Sequence, residues 1–196
     1  HRGPARALVN SLRRTPVTPN QLTLLSLAAA AGSGWWFWKG SGWAMVPALL
    51  LFWLWAVLDH ADGELARQTG RASEFGKKLD DFCDNVSSCV ILCGIFAGLL
   101  PFWHAGDKAL FETLFLSGLT ANTLTGMALL KVKRRLRSKA LNRLTGRDLF
   151  YPLAILAAAA LWRKETVWYS LTMGALIVGL YLTSAIFLVA WFRMSR

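Results

Sequence analysis

Residues 59–85 read DHADGELARQTGRASEFGKKLDDFCDN, and this stretch holds seven of the chain's eleven acidic residues. Long apolar runs lie on both sides of it, at about residues 43–58 and 86–103. A helix needs about 20 residues to cross about 30 Å of hydrocarbon, so each run has nearly the length of a membrane span. The stretch therefore joins two predicted membrane helices at the edge of the bilayer, where carboxylates are costly to desolvate.

The chain as a whole is also rich in apolar residues. Hydrophobic residues make up 55% of its 196 residues and charged residues 17%, against about 25% charged residues in a typical soluble domain. We therefore predict an all-α integral membrane protein with six transmembrane helices in a single domain, residues 1–196. The six apolar runs are residues 21–38, 43–58, 86–103, 109–130, 149–162 and 167–192.

An amphipathic segment, ARALVNSLRR, precedes the first apolar run. Its apolar residues fall on one helical face, which predicts an N-terminal interfacial helix within residues 1–17, before the six-span bundle of residues 21–196. Thr18 and Gln21 predict a capping box at the start of the first span. A basic segment before an apolar run also resembles a signal peptide, but no small-residue cleavage site follows, so we expect this span to be retained.

Basic residues predict the orientation of the spans. If all six runs cross and the N-terminus is cytoplasmic, 18 of the 22 lysines and arginines lie on the cytoplasmic side, as the positive-inside rule requires. We therefore predict a prokaryotic cytoplasmic membrane protein whose acidic stretch faces the cytoplasm. The predicted outer ends carry an aromatic belt of Trp35, Trp36, Trp38, Trp43, Trp103, Trp162 and Trp168.

Two features that suggest other classes of protein have simpler explanations. A net charge of +11 can indicate a nucleic-acid partner. In this topology the aromatic and basic residues lie on opposite sides of the membrane, so we predict no nucleic-acid partner. Cys83, Cys89 and Cys93 fall in one predicted helix without CxxC spacing, and we interpret them as packing residues.

Four aspartates in the stretch are spaced so that they share helix faces. Asp59 and Asp62 are three residues apart, and Asp80 and Asp84 are four residues apart. Two helices joined by a short loop can turn these faces toward each other. Four carboxylates in one pocket repel each other, which favours the uptake of protons or cations. Oxygen ligands without His or Cys favour Mg²⁺, Mn²⁺ or Ca²⁺ over zinc.

The residues around these aspartates divide into two groups. Gly63 and Ala66 leave room for a ligand, and Gly76 permits close helix approach. Arg67 can bind a phosphate through two hydrogen bonds. Spacing alone leaves open whether the four aspartates form a metal site or belong to a loop of mixed charge. The other charged residues fit a solvated, paired loop, and they are Glu64, Arg71, Glu74, Lys77, Lys78 and Asp81.

The stretch resembles the signature of the CDP-alcohol phosphotransferase family, which is D, two residues, DG, two residues, AR, eight residues, G, three residues, D, three residues, D. The segment VTPNQLT, with Asn20, also resembles the family's usual start of the first span. All eight fixed positions match without a change in spacing. They are Asp59, Asp62, Gly63, Ala66, Arg67, Gly76, Asp80 and Asp84.

The resemblance implies a transferase of phospholipid biosynthesis or inositol-phosphodiester synthesis. An acceptor hydroxyl attacks the alcohol-bearing phosphate of a CDP-alcohol, and CMP leaves. Carried over by position, Asp59, Asp62 and Asp80 bind Mg²⁺ or Mn²⁺, as part of a two-metal site. Asp84 binds metal or acts as the base that takes the hydroxyl proton. A homodimer among membrane lipids is also implied.

The resemblance assigns the rest of the signature to the nucleotide. Gly63, Ala66 and Arg67 line the cytidine-diphosphate pocket, and Gly76 allows close approach. DGELAR and SEFG, followed by GRDLF, look most like inositol-type members, some of which carry a cytidylyltransferase domain upstream. A chain that begins at His1 without a methionine is compatible with such a domain.

The substrates stay open at this point. The donor is CDP-diacylglycerol or a CDP-linked polar alcohol such as CDP-inositol. A phosphorylated acceptor needs basic residues near the aspartates, and a positive-inside loop explains the available ones equally well. These candidates are Lys131, Lys133, Arg134 and Arg147.

A divalent-cation transporter or channel is the alternative from another class. Such a protein is expected to hold acids near mid-membrane, often on broken helices, whereas these lie at one end of two spans. A lipid-surface scaffold explains the basic loops but not the spacing of the aspartates. His60 occupies a variable position of the signature, and we expect it to face away from the aspartates.

Overall fold

The computed structural model describes residues 2–102, 105–133, 150–163 and 166–194. Every regular element in these ranges is helical, so the prediction of an all-α chain is confirmed for them. The chain divides into two compact units, His1–Gly98 and Leu99–Arg196. The candidate site belongs to the first unit.

Four α-helices build the first unit. The first, α1 (Arg2–Leu12), packs against the third, α3 (Met45–Thr69), and buries Ala5 and Val9 of its apolar face. A short 3-10 turn, Gly42–Ala44, leads into α3. The four helices are α1 (Arg2–Leu12), α2 (Pro19–Trp38), α3 (Met45–Thr69) and α4 (Glu74–Leu99).

The predicted capping box starts α2. The Thr18 hydroxyl oxygen accepts a hydrogen bond from the Gln21 backbone N–H at 3.3 Å, and Gln21 Oε1 accepts one from the Thr18 N–H at 2.8 Å. Pro19 occupies the first turn, where a missing N–H has no helical partner to lose. These contacts fix where the chain enters the first predicted span.

The acidic stretch is almost entirely helical. α3 continues beyond its apolar run to Thr69 and ends at Gly70, whose φ of 65° is left-handed and favours glycine. α4 then begins at Glu74, well before its own apolar run. Both helices therefore extend beyond their apolar runs into the stretch. As a result, all four spaced aspartates lie on helices.

Glycine permits an unusually close approach of α2 and α4. A Cβ on Gly94 would overlap the carbonyl oxygen of Gly34, and a Cβ on Gly98 would overlap that of Phe37. A Cβ on Gly34 would lie 2.7 Å from the carbonyl oxygen of Val90. Gly94 and Gly98 form a GxxxG pattern, which allows two membrane helices to touch along their backbones.

The same contacts show that α2 and α4 run in the same direction. Asn20, at the start of α2, lies beside Gly76 at the start of α4, and Phe37 lies beside Gly98 near the ends of both helices. The first turns of α2 and α4 are therefore neighbours at one end of the unit. This is the end at which the acidic stretch lies.

The other end of the first unit carries exposed tryptophans. Lys39 Nζ lies 4.7 Å from the ring centroid of Trp35 and 5.5 Å from that of Trp38, within the range of a cation–π interaction. Trp36 and Trp43 are also exposed. These four residues fit the predicted aromatic belt. Trp103 lies outside the described residues, as do the side chains of Trp162 and Trp168.

The structure describes three helices of the second unit, within residues 105–133, 150–163 and 166–194. The longest described pair, α5 (Ala105–Lys133) and α7 (Thr166–Met194), pack against each other, and α6 (Phe150–Arg163) packs against α7. The Ser117 and Tyr181 hydroxyl oxygens lie 2.6 Å apart and link α5 to α7.

Two described helical segments, Gly42–Thr69 and Glu74–Phe102, are long and apolar enough to cross a membrane by length and composition. Each of the six predicted apolar runs coincides largely with one helix from α2 to α7. That all six helices cross, and that α1 lies in the interface, stay predictions.

Candidate metal centre

Three of the predicted metal ligands converge where α3 meets α4. One carboxylate oxygen from each of Asp59, Asp80 and Asp84 lies within 4.8 Å of the other two. Asp59 comes from α3 and is buried, whereas Asp80 and Asp84 lie one turn apart on α4 and are half-buried. Small side-chain movements would bring these oxygens around one cation, since ligands sit about 2.0–2.6 Å from Mg²⁺ or Ca²⁺.

The chemistry of this donor set fits a hard divalent cation. All three groups are carboxylates, which Mg²⁺ and Mn²⁺ prefer over the nitrogen and sulfur ligands that suit zinc. Carboxylates this close repel one another, and partial burial of the cluster weakens screening by water. A bound cation of charge +2 would offset that repulsion.

Asp62, the fourth predicted ligand, has partners of its own. Its Oδ2 atom accepts a hydrogen bond from the Thr23 hydroxyl at 2.7 Å, and its Oδ1 atom accepts one from the Gly63 backbone N–H. Its side chain is buried. The structure thus brings together carboxylate oxygens from three of the four predicted metal ligands. The fourth, Asp62, points toward α2.

Sequence reasoning missed Thr23. Its side chain is buried on α2, where the hydroxyl also lies 3.2 Å from the carbonyl oxygen of Pro19. The signal that could have found it is the segment VTPNQLT, in which Thr23 follows Asn20 by one helical turn. Asn20 Oδ1 lies against Gly76 on α4, and Thr23 bonds Asp62 on α3. The first turns of α2 therefore contact both helices that carry aspartates.

Gly76 lies where the start of α4 approaches α2. A Cβ on Gly76 would lie 3.0 Å from Asn20 Oδ1 and 3.1 Å from the Ser73 hydroxyl oxygen. That oxygen accepts the Gly76 N–H at 2.9 Å, which caps the start of α4.

Arg67 lies beside Gly63, on the exposed side of α3. Its side chain is 69% exposed, and its Nη2 atom donates to Glu64 Oε2 at 2.8 Å. Its Nη1 atom lies 3.5 Å from the position of a Cβ on Gly63. The guanidinium therefore covers the backbone next to Asp62. Ala66, the other predicted pocket residue of α3, is half-buried.

His60 contacts its own helix. Its Nδ1 atom lies 2.8 Å from the carbonyl oxygen of Ala56 and 3.5 Å from Asp59 Oδ2. The imidazole therefore lies beside Asp59, whereas we expected it to face away from the aspartates, and that His60 is not a ligand stays a prediction.

The candidates for binding a phosphorylated acceptor cannot be placed against the cluster. Lys131 and Lys133 belong to α5, but their side chains lie outside the described part of the chain. Arg134 and Arg147 lie outside the described residues altogether. Their role stays a prediction.

The similarity to CDP-alcohol phosphatidyltransferases extends well beyond the acidic stretch. The sequence model of that family matches residues 16–194 of the chain. The chain belongs to the CDP-alcohol phosphatidyltransferase family. The predicted family, and with it the predicted class of transferase enzyme, is confirmed.

Curated members of the family match a little over half of the chain. Archaetidylinositol phosphate synthase of Pyrococcus horikoshii is 34% identical over 114 residues, which are 58% of this chain and 59% of that protein. CDP-diacylglycerol–glycerol-3-phosphate 3-phosphatidyltransferase of Cereibacter sphaeroides is 39% identical over 121 residues, 59% of this chain and 54% of that protein. The matched segments thus span only about half the length of these relatives.

A solved structure of the family shares the fold. The crystal structure of Mycobacterium tuberculosis phosphatidylinositol phosphate synthase with CDP-DAG bound superposes with a TM-score of 0.71. The superposition covers 94% of this chain and 91% of that chain, at 18% sequence identity.

Proposed function

We propose that the chain transfers a substituted phosphate group from a CDP-alcohol to an acceptor hydroxyl, with release of CMP and with Mg²⁺ or Mn²⁺ as cofactor. The observation that carries this proposal is the convergence of Asp59, Asp80 and Asp84 in a chain of this family. The names of its relatives, an archaetidylinositol phosphate synthase among them, support a role in phospholipid biosynthesis.

The aspartates divide the work of the proposed reaction. Asp59 and Asp80 would hold the metal, joined by Asp62 through the carboxylate lone pairs that its two hydrogen bonds leave free, and Asp84 would take the proton from the acceptor hydroxyl in addition to facing the metal. Bound metal would neutralise the pyrophosphate and stabilise the attacking and leaving oxygens. Asp84 suits the role of base because it is half-buried, in reach of both the cluster and solvent.

The nucleotide pocket is proposed on the exposed side of α3. Gly63 and Ala66 present little side chain there, and Arg67 places a guanidinium beside Asp62. A guanidinium in this position can bind a phosphate through two hydrogen bonds. Gly76 keeps the starts of α2 and α4 together below this surface.

A lipid donor is favoured by the membrane setting of the site. The structurally similar M. tuberculosis protein was crystallised with CDP-DAG, which supports CDP-diacylglycerol over a CDP-linked polar alcohol such as CDP-inositol. The acceptor we propose is a phosphorylated alcohol, and the relative named as an archaetidylinositol phosphate synthase supports this choice.

The membrane arrangement we propose has six spans, a cytoplasmic metal centre and α1 on the inner surface. Exposed Arg6 on α1, with exposed Arg13 and Arg14 in the turn that follows it, suits a cytoplasmic lipid surface at the metal-centre end. The exposed tryptophans lie at the other end. Residues 1–196 would act as one membrane domain within a homodimer.

Release of CMP from purified protein tests this function. We expect CMP to form only with a matching pair of CDP-alcohol and acceptor, and chelation of metal to lower the rate by at least about 100-fold. The panel should include CDP-diacylglycerol and CDP-inositol as donors, with glycerol 3-phosphate, inositol and inositol phosphate as acceptors. If every pair fails while the protein still binds Mn²⁺, the transferase is excluded and a cation-handling protein becomes the better explanation.

Thr23→Val tests the role of Asp62. Valine keeps the shape of threonine but leaves Asp62 Oδ2 without its donor, and a hydrogen bond to a charged group contributes about 1.5–3 kcal/mol. We expect the Mn²⁺ concentration for half-maximal activity to rise about tenfold, the lower end of that range.

Ser26→Ala is the matched control for this substitution. Ser26 is a buried hydroxyl one turn further along α2, and it bonds only the carbonyl oxygen of Thr23 in the structure, at 2.8 Å. The Ser26→Ala substitution should leave the Mn²⁺ dependence of activity unchanged. If Thr23→Val leaves the Mn²⁺ dependence unchanged, the hydrogen bond from Thr23 does not position Asp62 for metal binding.

A further inference from the structure

Glu64 makes contacts through both of its carboxylate oxygens. Oε2 accepts a hydrogen bond from Arg67 Nη2 at 2.8 Å, and Oε1 accepts one from Gln68 Nε2 at 2.9 Å. Both donors come from the next turn of α3. The Glu64 side chain is only 30% exposed, so these contacts hold it against the helix surface.

These contacts decide where the guanidinium of Arg67 lies. An exposed arginine side chain samples many rotamers in water, and ordering it costs side-chain entropy. Here one guanidinium nitrogen is bound to Glu64 and the other lies above the backbone of Gly63. The side chain is thereby folded back toward the N-terminal end of α3. The guanidinium thus lies beside the residue that follows Asp62.

Gln68 makes Glu64 a stiffer partner than an ordinary surface acid. A lone i, i+3 pair on a helix surface leaves both side chains free to separate. With Oε1 bound to Gln68, a swing of Glu64 away from Arg67 breaks two hydrogen bonds instead of one. Glu64 therefore acts as a fixed acceptor that restrains the exposed guanidinium of Arg67.

We propose that Glu64 is a positioning residue that holds Arg67 over Gly63, ready to bind a phosphate of a nucleoside diphosphate. The proposal rests on the function proposed above, in which Arg67 binds the CDP part of the donor. Arginine has five N–H donors, so the bond to Glu64 leaves enough of them for a phosphate. A guanidinium already in place loses less conformational entropy when the nucleotide binds.

Glu64 also has an opposing effect, because its negative charge repels the same phosphate. The two effects predict results of opposite sign. If positioning is larger, removal of the side chain weakens nucleotide binding; if repulsion is larger, removal strengthens it. Glu64→Gln separates them, because glutamine keeps an acceptor oxygen for Arg67 and has no charge.

The test measures CDP affinity with Mn²⁺ present, together with KM and kcat for the CDP-alcohol donor. We expect Glu64→Ala to weaken CDP binding about threefold to fivefold, the upper part of the range of an exposed ion pair, and to raise KM for the donor without a change in kcat. We expect Glu64→Gln to restore most of the affinity. In an Arg67→Ala background, Glu64→Ala should have no further effect, because the two residues act as a unit.

Glu74→Ala is the matched control, since it removes an exposed acid at the start of α4. It should leave CDP affinity unchanged. Equal effects of Glu64→Ala with and without Arg67 would overturn the proposal, as would tighter binding of CDP by Glu64→Ala. If Arg67→Ala itself leaves CDP affinity unchanged, the proposed nucleotide pocket is wrong. A pocket that needs Arg67 but not Glu64 would overturn only the positioning role.

Discussion

Asp84→Asn is expected to lower the rate of CMP release by about 1,000-fold, the middle of the range for loss of a general base. Asparagine has nearly the shape of aspartate but cannot take a proton from the acceptor hydroxyl. Asp59 and Asp80 remain to hold metal, so the CDP-alcohol should still bind. Single-turnover release of CMP measures the first effect, and competition by CDP measures the second.

Asp81→Asn is the control for this substitution. Asp81 is the neighbouring acid on α4, is half-buried like Asp84, and lies outside the group of three converging oxygens. It should keep a nearly normal rate. Near-normal turnover by Asp84→Asn would remove Asp84 from the role of base. Loss of nucleotide binding along with turnover would leave it a role as metal ligand only.

Gly94→Ala is expected to have the largest effect on stability. The added Cβ would overlap the backbone carbonyl oxygen of Gly34, and no side-chain rotation can relieve a clash with backbone. α2 and α4 would have to separate, at a cost of about 3 kcal/mol, the upper part of the usual range for overpacking. In a chain of this size that loss lowers the thermal midpoint by about 10 °C. Circular dichroism during heating in detergent measures the midpoint.

Gly174→Ala provides the comparison. It makes the same chemical change inside α7, where a new Cβ would have nothing within 4 Å. Alanine is a better helix former than glycine, so its thermal midpoint should be unchanged or slightly higher. A Gly94→Ala protein as stable as the Gly174→Ala protein would show that the α2–α4 contact can open without cost.

Local features of the fold could be predicted because the residues that form them are close in sequence. Thr18 and Gln21 contact each other within one turn, so their types and spacing were sufficient to predict the start of α2. The spacing of Asp80 and Asp84 places both on one face of α4 in any structure where that segment is helical. The eight-residue signature likewise identified the family, because its positions lie within one stretch of 26 residues.

Contacts between distant segments could not be predicted in the same way. The spacing of Asp62 in the signature suits the site as well as that of Asp59. Its oxygens nevertheless accept hydrogen bonds from Thr23, 39 residues away, and from Gly63. Nothing in the spacing of either residue specifies that pairing. The GxxxG pattern of Gly94 and Gly98 is visible in the sequence, but the helix it contacts is known only from the structure. The contacts of Glu64 could not be predicted from charge alone, because one of its two hydrogen bonds is to the uncharged Gln68.

The backbone contact between α2 and α4 also determines which parts of the site can adjust to a substrate. Side chains that interlock can change rotamer and let two helices slide, but no side chains lie between Gly34 and Gly94. The α2–α4 pair is therefore the rigid half of the site, and it keeps Thr23 and Asp80 at a constant separation. Adaptation to donors and acceptors of different size is left to α3 and the exposed side chains on its surface. Variation in substrate choice among related chains should accordingly be found on α3 and in the loops, with the α2–α4 contact unchanged.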